Sequence, residues 1–244
     1  MIGEPPKPRE INFGVGKVLP IIARISLILF FVAVPFLFYG FGRETLELIP
    51  QVSFGNPRWL AFITGGLIFI PSFFVARRLF PATWSYLQTL EHELTHLLIG
   101  LLFLKIPVGI RVSAHEGGEV RQIGLGTTGH TWVTLAPYFF PTVSLAVLIF
   151  AYFANLNSRL LLGILGWTTI FHLVTNWSET SFRQPDLQRA GLLKTLLILP
   201  VMNLICYGSV LAYVAGGAKG FGGFWYEGIR SSLALLKHAA SFII

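Results

Sequence analysis

The chain has 244 residues, of which 54% are hydrophobic and only 12% are charged, and its mean hydropathy is +0.69. Soluble domains carry about 25% charged residues, so this composition excludes an ordinary soluble protein and indicates an integral membrane protein. The net charge of +7 comes from bases scattered through short loops. This pattern favours contact with lipid headgroups, and we expect no nucleic-acid partner. Cys206 is the only cysteine, so no disulfide can form within the chain.

Six apolar segments follow one another along the chain, and they predict about six transmembrane helices. A helix needs roughly 20 apolar residues to cross a bilayer. No small-residue cleavage site follows the first segment, so we expect it to be retained as a span. Pro137 and Pro141 lie in the fourth segment and predict a kink there. The segments cover approximately residues 18–41, 59–74, 83–104, 132–154, 160–174 and 192–214.

A different pattern lies between the third and fourth segments. Residues 106–112 and 119–123 alternate apolar and polar side chains on either side of a turn that contains Gly117 and Gly118. This alternation predicts a β-hairpin. An open sheet edge cannot face lipid, so we expect the hairpin to pack on protein or to lie at the membrane surface. The predicted fold class is therefore an all-α polytopic membrane protein with a short β-hairpin after the third helix.

The chain divides into four predicted regions. A polar segment over 1–17 precedes two N-terminal transmembrane helices over 18–82, and the main membrane core follows over 83–215. Residues 216–223 are rich in glycine and predict a flexible linker. The remaining residues, to 244, predict an amphipathic tail at the membrane interface, with a seventh span the less favoured interpretation.

The third apolar segment contains an H-E-x-x-H motif, formed by His92, Glu93 and His96. On a helix this spacing puts the two imidazoles one turn apart on the same face. Imidazole nitrogens bind Zn²⁺, and the adjacent carboxylate can take a proton from the attacking water. Ionisable side chains are costly in a membrane helix, so their presence indicates function. The motif predicts a zinc site with His92 and His96 as ligands and Glu93 as the general base.

A catalytic zinc site usually has three protein ligands, so another segment must supply the third. Asp186 is the favoured residue, because Pro185 disfavours helix at Gln184 and lets Asp186 begin a new helix that faces the membrane. Other carboxylate and imidazole side chains remain as alternatives. They are Glu179, His172, His115, Glu116 and His130.

The H-E-x-x-H helix, the hairpin, a further span, Asn176 and a Pro-Asp element resemble the site-2 protease family of intramembrane zinc metalloproteases. The similarity covers approximately residues 83–199. The resemblance implies that His92, His96 and Asp186 bind zinc and that Glu93 is the catalytic base. It also implies that Asn176 contacts the substrate or the reaction intermediate. Leu187 follows Asp186, where the family usually has glycine.

The same resemblance implies a zinc endopeptidase embedded in a cell membrane. Its expected partners are the lipid bilayer and a membrane protein or peptide, in which it cuts a membrane-spanning or membrane-adjacent bond. The alternative is a catalytically inactive metalloprotease-like scaffold or a metal-binding transporter. No pattern in the chain specifies an oligomeric state.

Overall fold

The computed structural model describes residues 15–114, 117–124, 130–153, 158–181 and 184–242. Most of the predicted polar segment over 1–17 lies outside these residues. Two 3₁₀ turns, Ile49–Gln51 and Ala136–Tyr138, follow the first and fourth helices. The helices and strands are α1 (Val15–Leu48), α2 (Pro57–Leu79), α3 (Pro81–Leu102), β1 (Ile106–Ser113), β2 (Gly117–Ile123), α4 (His130–Leu135), α5 (Thr142–Phe153), α6 (Arg159–Glu179), α7 (Pro185–Ala190) and α8 (Leu192–Ala240). The predicted all-α polytopic membrane protein with a β-hairpin after the third helix is confirmed.

Within the described residues, four helices are long and apolar enough to cross a bilayer: α1, α2, α6 and α8. A bent pair formed by α4 and α5 gives a fifth crossing if it counts as one span. All six predicted apolar segments contain helix in the structure. Helix α3 is absent from the four because ionisable side chains interrupt its apolar sequence. These side chains are Glu91, His92, Glu93 and His96.

The segment formed by α4, the 3₁₀ turn and α5 bends by 87°. Pro137 lies in the 3₁₀ turn, and Pro141 immediately precedes α5. Proline has no backbone N–H to donate and its ring clashes with the preceding turn, so a straight helix cannot pass through both positions. The predicted kink is confirmed, and the bent segment packs against α3.

Helices α2 and α6 approach each other closely at glycines. A Cβ on Gly65 would lie 1.8 Å from the carbonyl oxygen of Gly163, and a Cβ on Gly166 would lie 1.9 Å from that of Phe62. Close backbone approach at small residues is a main source of helix association in membranes, where lipid tails are as apolar as the helix surfaces. The pair supports α3 through an aromatic cluster of Phe69, Trp84 and Phe171.

The two strands form the predicted hairpin. They pair antiparallel, with Arg111 opposite Glu119 and Ser113 opposite Gly117, and the register shifts between Pro107 and Gly109. Gly117 has a φ of 79°, which a residue with a side chain rarely adopts. Both strands pack on α3, so the hairpin lies directly against the helix that carries the H-E-x-x-H motif.

Helix α8 reverses direction at Gly217, where φ is 64° and ψ is −148°. Trp225 Nε1 donates to Ser209 Oγ at 3.0 Å, and a Cβ on Gly220 would lie 2.3 Å from the carbonyl oxygen of Ala212. Sixteen residues of straight helix would separate Ser209 from Trp225 by about 24 Å. The chain therefore folds back, and the return arm over 218–240 packs against the first arm over 192–216.

The stretch over 216–223, predicted to be a flexible linker, lies at this reversal and in the return arm. Apart from Gly217, the glycine-rich stretch is helical. A Cβ on Gly208 would lie 2.4 Å from the Phe224 ring, and one on Gly228 would lie 2.7 Å from the Phe41 ring. The glycines at these contacts permit close packing between helices, which composition alone did not distinguish from flexibility.

Candidate metal centre

The side chains of His92 and His96 lie on one face of α3, one turn apart, and their ring centroids are 4.9 Å from each other. Helix α3 begins at Pro81, whose fixed φ and missing N–H suit the first helical position. His96 Nδ1 lies 2.8 Å from the carbonyl oxygen of Val133 in α4. A carbonyl can only accept, so Nδ1 carries the proton and Nε2 keeps its lone pair for a metal.

Asp186 reaches the two imidazoles from α7. Gln184 is extended, with φ −65° and ψ 130°, and Pro185 starts the helix. The next residue, Leu187, is only 2% exposed and packs with Leu135 and Ile198 in an apolar cluster between α4 and α8. Burial of Leu187 fixes the rotation of this short helix, so the adjacent Asp186 faces the cleft.

The three predicted ligands come together. Asp186 Oδ2 lies 3.4 Å from His92 Nε2 and 3.1 Å from His96 Nε2, and one ligand atom from each residue lies within 4.8 Å of the others. Tetrahedral coordination with bonds of 2.0–2.1 Å separates neighbouring ligand atoms by about 3.3 Å, so this donor set fits Zn²⁺. Within the described part of the chain, no other three such side chains converge. Their assignment as ligands stays a prediction.

The carboxyl group of Asp186 is held in its ionised form. Burial opposes ionisation, but the interactions with the adjacent His92 and His96 imidazoles outweigh burial and keep the pKa of Asp186 well below its ordinary value. Arg189 Nη1 adds a cation 3.7 Å from the other carboxylate oxygen. A metal ligand must be deprotonated, so this environment suits Asp186 to the role.

Glu93 lies in the same cleft, under the hairpin. Its side chain is 7% exposed, and the backbone amide of Val120 donates to its carboxylate. A Cβ on Gly118 would lie 2.4 Å from Glu93 Cγ, so only glycine allows β2 to approach this closely. This contact joins residues that are distant in the chain, and its only signal in the sequence is the pair of glycines at 117–118.

Gln122 fixes the other end of β2 to α3. Its Nε2 donates to the carbonyl oxygens of His96 and Leu97, at 3.1 and 3.3 Å. A Cβ on Gly100 would lie 2.2 Å from the Gln122 amide oxygen, so the glycine makes room for this side chain. Strand β2 therefore contacts α3 at both the predicted base and the second predicted ligand.

The structure places the alternative ligands differently. His172 is buried away from the cleft, where its Nδ1 lies 3.1 Å from Glu91 Oε1. His130 is exposed and lines the cleft, but it does not join the three convergent side chains. His115 and Glu116 lie outside the described residues, as does the side chain of Glu179.

Asn176 contacts protein groups near the site. Its Nδ2 donates to the carbonyl oxygen of Tyr138 at 2.6 Å, and its Oδ1 accepts from Thr180 Oγ1 at 2.8 Å. Asn203 Nδ2 lies 3.2 Å from the same Tyr138 oxygen. The Tyr138 ring lies against His92, with centroids 5.6 Å apart. Asn176 thus supports the turn behind His92, and its predicted contact with substrate stays a prediction.

The site opens into a cleft of about 860 Å³. Its walls come from α3, from both strands of the hairpin, from the start of α4 and from α7. The lining includes His92, Glu93, His96 and Asp186. Two imidazoles, an ionised carboxylate and a nearly buried glutamate therefore share one cavity large enough for a peptide segment.

A family model described as Peptidase M50B-like matches residues 58–183, which is more than half of the chain. The chain belongs to this family, the site-2 proteases. The match extends from the start of α2 to the residues between α6 and α7, and it includes the whole H-E-x-x-H motif and Asn176. M50 membership supports a site-2-protease-like membrane metalloprotease and implies a metal.

Asp186 lies three residues beyond the end of the matched range. Its place in the site therefore depends on the geometry described above and not on the family model. No curated protein and no solved structure matches the chain at a significant level.

Proposed function

We propose that this M50B-like protein is a zinc endopeptidase of a cell membrane, which hydrolyses a peptide bond in a membrane-spanning or membrane-adjacent protein. The observation that carries the proposal is the convergence of His92, His96 and Asp186 in the cleft that also contains Glu93. His96 in α3 and Asp186 in α7 are 90 residues apart in the chain, yet their ligand atoms lie at a separation suited to one metal ion.

The residues of the site have two proposed roles, metal binding and proton transfer. Zinc held by His92, His96 and Asp186 would supply a Lewis acid that polarises the scissile carbonyl and acidifies water. Glu93 would accept the proton of the attacking water and pass it to the leaving amine. The Val120 amide holds the Glu93 carboxylate in one orientation, and β2 covers it against bulk water.

A helical substrate must unwind before its peptide bond can reach the metal. The hairpin has strand edges that could pair with an extended substrate segment, and it already lies against α3. We propose that strand addition to this hairpin presents the substrate. Proline substitutions along the hairpin should then reduce cleavage, and unchanged cleavage would contradict this step.

The decisive experiment compares Glu93→Gln with wild type. The full chain is purified in detergent for zinc analysis and is co-expressed with a library of single-span membrane segments for cleavage. Glu93→Gln should retain zinc and lose about 10²- to 10⁴-fold in cleavage rate. The matched control is Glu47→Gln, an exposed glutamate of α1 paired with Arg43, which should behave as wild type.

Three results would contradict the proposal. Cleavage retained by Glu93→Gln would remove Glu93 as the base. Wild-type protein without zinc would remove the metal centre. Wild-type protein that binds zinc but cuts no library member would instead support the inactive scaffold or the metal-binding transporter.

A further inference from the structure

Basic side chains from four parts of the chain lie near one another beside the cleft. Lys105 lies between α3 and β1, His130 begins α4, Arg189 is in α7 and Lys194 is in the first turn of α8. Lys105, Arg189 and Lys194 lie close enough to His130 to act on it electrostatically, as does the acid Asp186. Three of these basic residues, Lys105, His130 and Arg189, line the cleft itself.

The acids of the cleft do not neutralise the charges of Lys105, Arg189 and Lys194. Asp186 is 3.7 Å from Arg189, but its other oxygen faces both imidazoles and would bind the metal. Glu119 is paired with Arg121 on the exposed hairpin, at 3.2 Å. A zinc ion would balance the charges of Asp186 and Glu93, and the cations beside the cleft would keep their positive charge.

Lys105 is the cation for which an anionic ligand would be most favourable. Its side chain is half-buried, and among the described residues it forms no side-chain hydrogen bond or ion pair. Its backbone amide donates to the carbonyl oxygen of Gly100 at 2.9 Å, which fixes its position at the end of α3. A half-buried ammonium group gains most from a carboxylate ligand, because a charge-assisted hydrogen bond replaces water that burial has removed.

We propose that Lys105 and Arg189 form a carboxylate-binding subsite of the protease, which takes an aspartate or glutamate side chain near the scissile bond, or a free C-terminal carboxylate. This inference rests on the proposed function and adds the class of substrate. A peptide is favoured over a lipid headgroup because Lys105 and Arg189 line the same cleft as Glu93 and the three donors. A peptide bond positioned at the donors extends its flanking residues into that cleft.

The test uses short peptides with an N-terminal succinyl hydroxamate, a bidentate metal ligand that anchors them at the centre and leaves the C-terminus available. The peptides share one sequence except that a single position, varied along the chain, carries Asp or Asn. Each is made with a free and an amidated C-terminus, which separates the two sources of carboxylate. Affinities are measured by displacement of a fluorescent hydroxamate from the full zinc-loaded chain in discs of neutral phosphatidylcholine.

We expect a carboxylate at one position, or at the C-terminus, to tighten binding about tenfold, as one charge-assisted hydrogen bond would. Lys105→Gln and Arg189→Gln should each reduce this ratio towards one, while Lys105→Arg should preserve most of it. The matched control is Lys237→Gln, an exposed lysine in the last turn of α8, which should leave the ratio unchanged. Zinc content and binding of the neutral peptide show that each variant is folded.

Equal binding of acidic and amide peptides, or an unchanged ratio in Lys105→Gln, would overturn the subsite and leave the protease proposal intact. If anionic lipid in the discs abolishes the ratio, the cations bind headgroups and the inference is wrong. If no hydroxamate binds at all, the metal centre itself is wrong, and the proposed function fails together with the subsite.

Discussion

His172 Nδ1 lies 3.1 Å from Glu91 Oε1, and these side chains are only 1% and 5% exposed. The pair joins α6 to α3 at the residue that immediately precedes His92. Successive residues of a helix point about 100° apart, so fixing Glu91 on one side of α3 fixes the direction of the adjacent imidazole. The buried pair therefore sets the rotation of the helix that carries two predicted ligands and the predicted base.

Removing either partner of this pair should destabilise the protein. Glu91→Ala or His172→Ala leaves a buried polar group without its partner, which costs about 3–5 kcal/mol. The double variant should lose clearly less than the sum of the two, because it leaves neither group uncompensated. Thermal unfolding in detergent, with zinc content measured in parallel, checks both statements. Strictly additive losses would show that the two side chains do not interact.

The contact between Gly118 and Glu93 leads to a prediction about catalysis. A Cβ at residue 118 would lie 2.4 Å from Glu93 Cγ, so Gly118→Ala must displace β2 or the glutamate. A displacement of about 1 Å at a catalytic group can cost up to roughly 100-fold in rate. We expect Gly118→Ala to lose about 10- to 100-fold in cleavage rate while its zinc content stays near that of wild type.

The matched control for this change is Gly109→Ala. Gly109 lies in the partner strand β1, and a Cβ there would meet no atom within 4 Å. The same substitution in the same hairpin should therefore leave cleavage unchanged. If both variants lose activity equally, the hairpin is sensitive to alanine in general, and the specific contact with Glu93 is not responsible.

The close approach of α2 and α6 leads to a prediction about stability. Gly65→Ala places a Cβ 1.8 Å from a backbone oxygen of α6, and backbone cannot rotate away as a side chain can. Overpacking typically costs about 1–3 kcal/mol, and a clash with backbone belongs at the upper end of that range or above it. A large fall in the unfolding temperature, measured in detergent, is the expected outcome.

Gly222→Ala provides the comparison, because a Cβ there would meet nothing within 4 Å. Alanine is favoured over glycine in a helix by about 0.5–1 kcal/mol, so this variant should be as stable as wild type or slightly more stable. A similar loss in both variants would contradict the close contact between α2 and α6.

Much of the fold follows from local patterns in the sequence. Apolar length predicts the membrane helices, alternation predicts the hairpin, and Pro137 and Pro141 predict the bend. The return arm of α8 could not be predicted in the same way. Glycines that permit helix packing and glycines that permit flexibility have the same composition, and only the partner helices distinguish them.

Some features of the site also follow from local sequence, and others depend on tertiary packing. The spacing of His92 and His96 places them on one helical face without any knowledge of tertiary structure. By contrast, the contact of Gly118 with Glu93 and the cation cluster around Lys105 involve elements that are distant in the chain. Such contacts depend on how the helices and the hairpin pack, so no local periodicity in the sequence predicts them.

The third ligand remains open to a direct test, because Asp186 lies beyond the matched family range and is followed by Leu187. Losing a residue that merely orients a metal ligand typically costs 10- to 100-fold in affinity, so losing a ligand should cost at least about that much. Asp186→Ala should therefore bind zinc at least about tenfold more weakly, in competition with a chelator, while Glu179→Ala keeps wild-type affinity. Asp186→Asn keeps the shape of the side chain but removes its anionic charge, so its zinc affinity should decrease as much as that of Asp186→Ala. The reverse order, with Glu179→Ala losing zinc and Asp186→Ala retaining it, would assign the third position to α6.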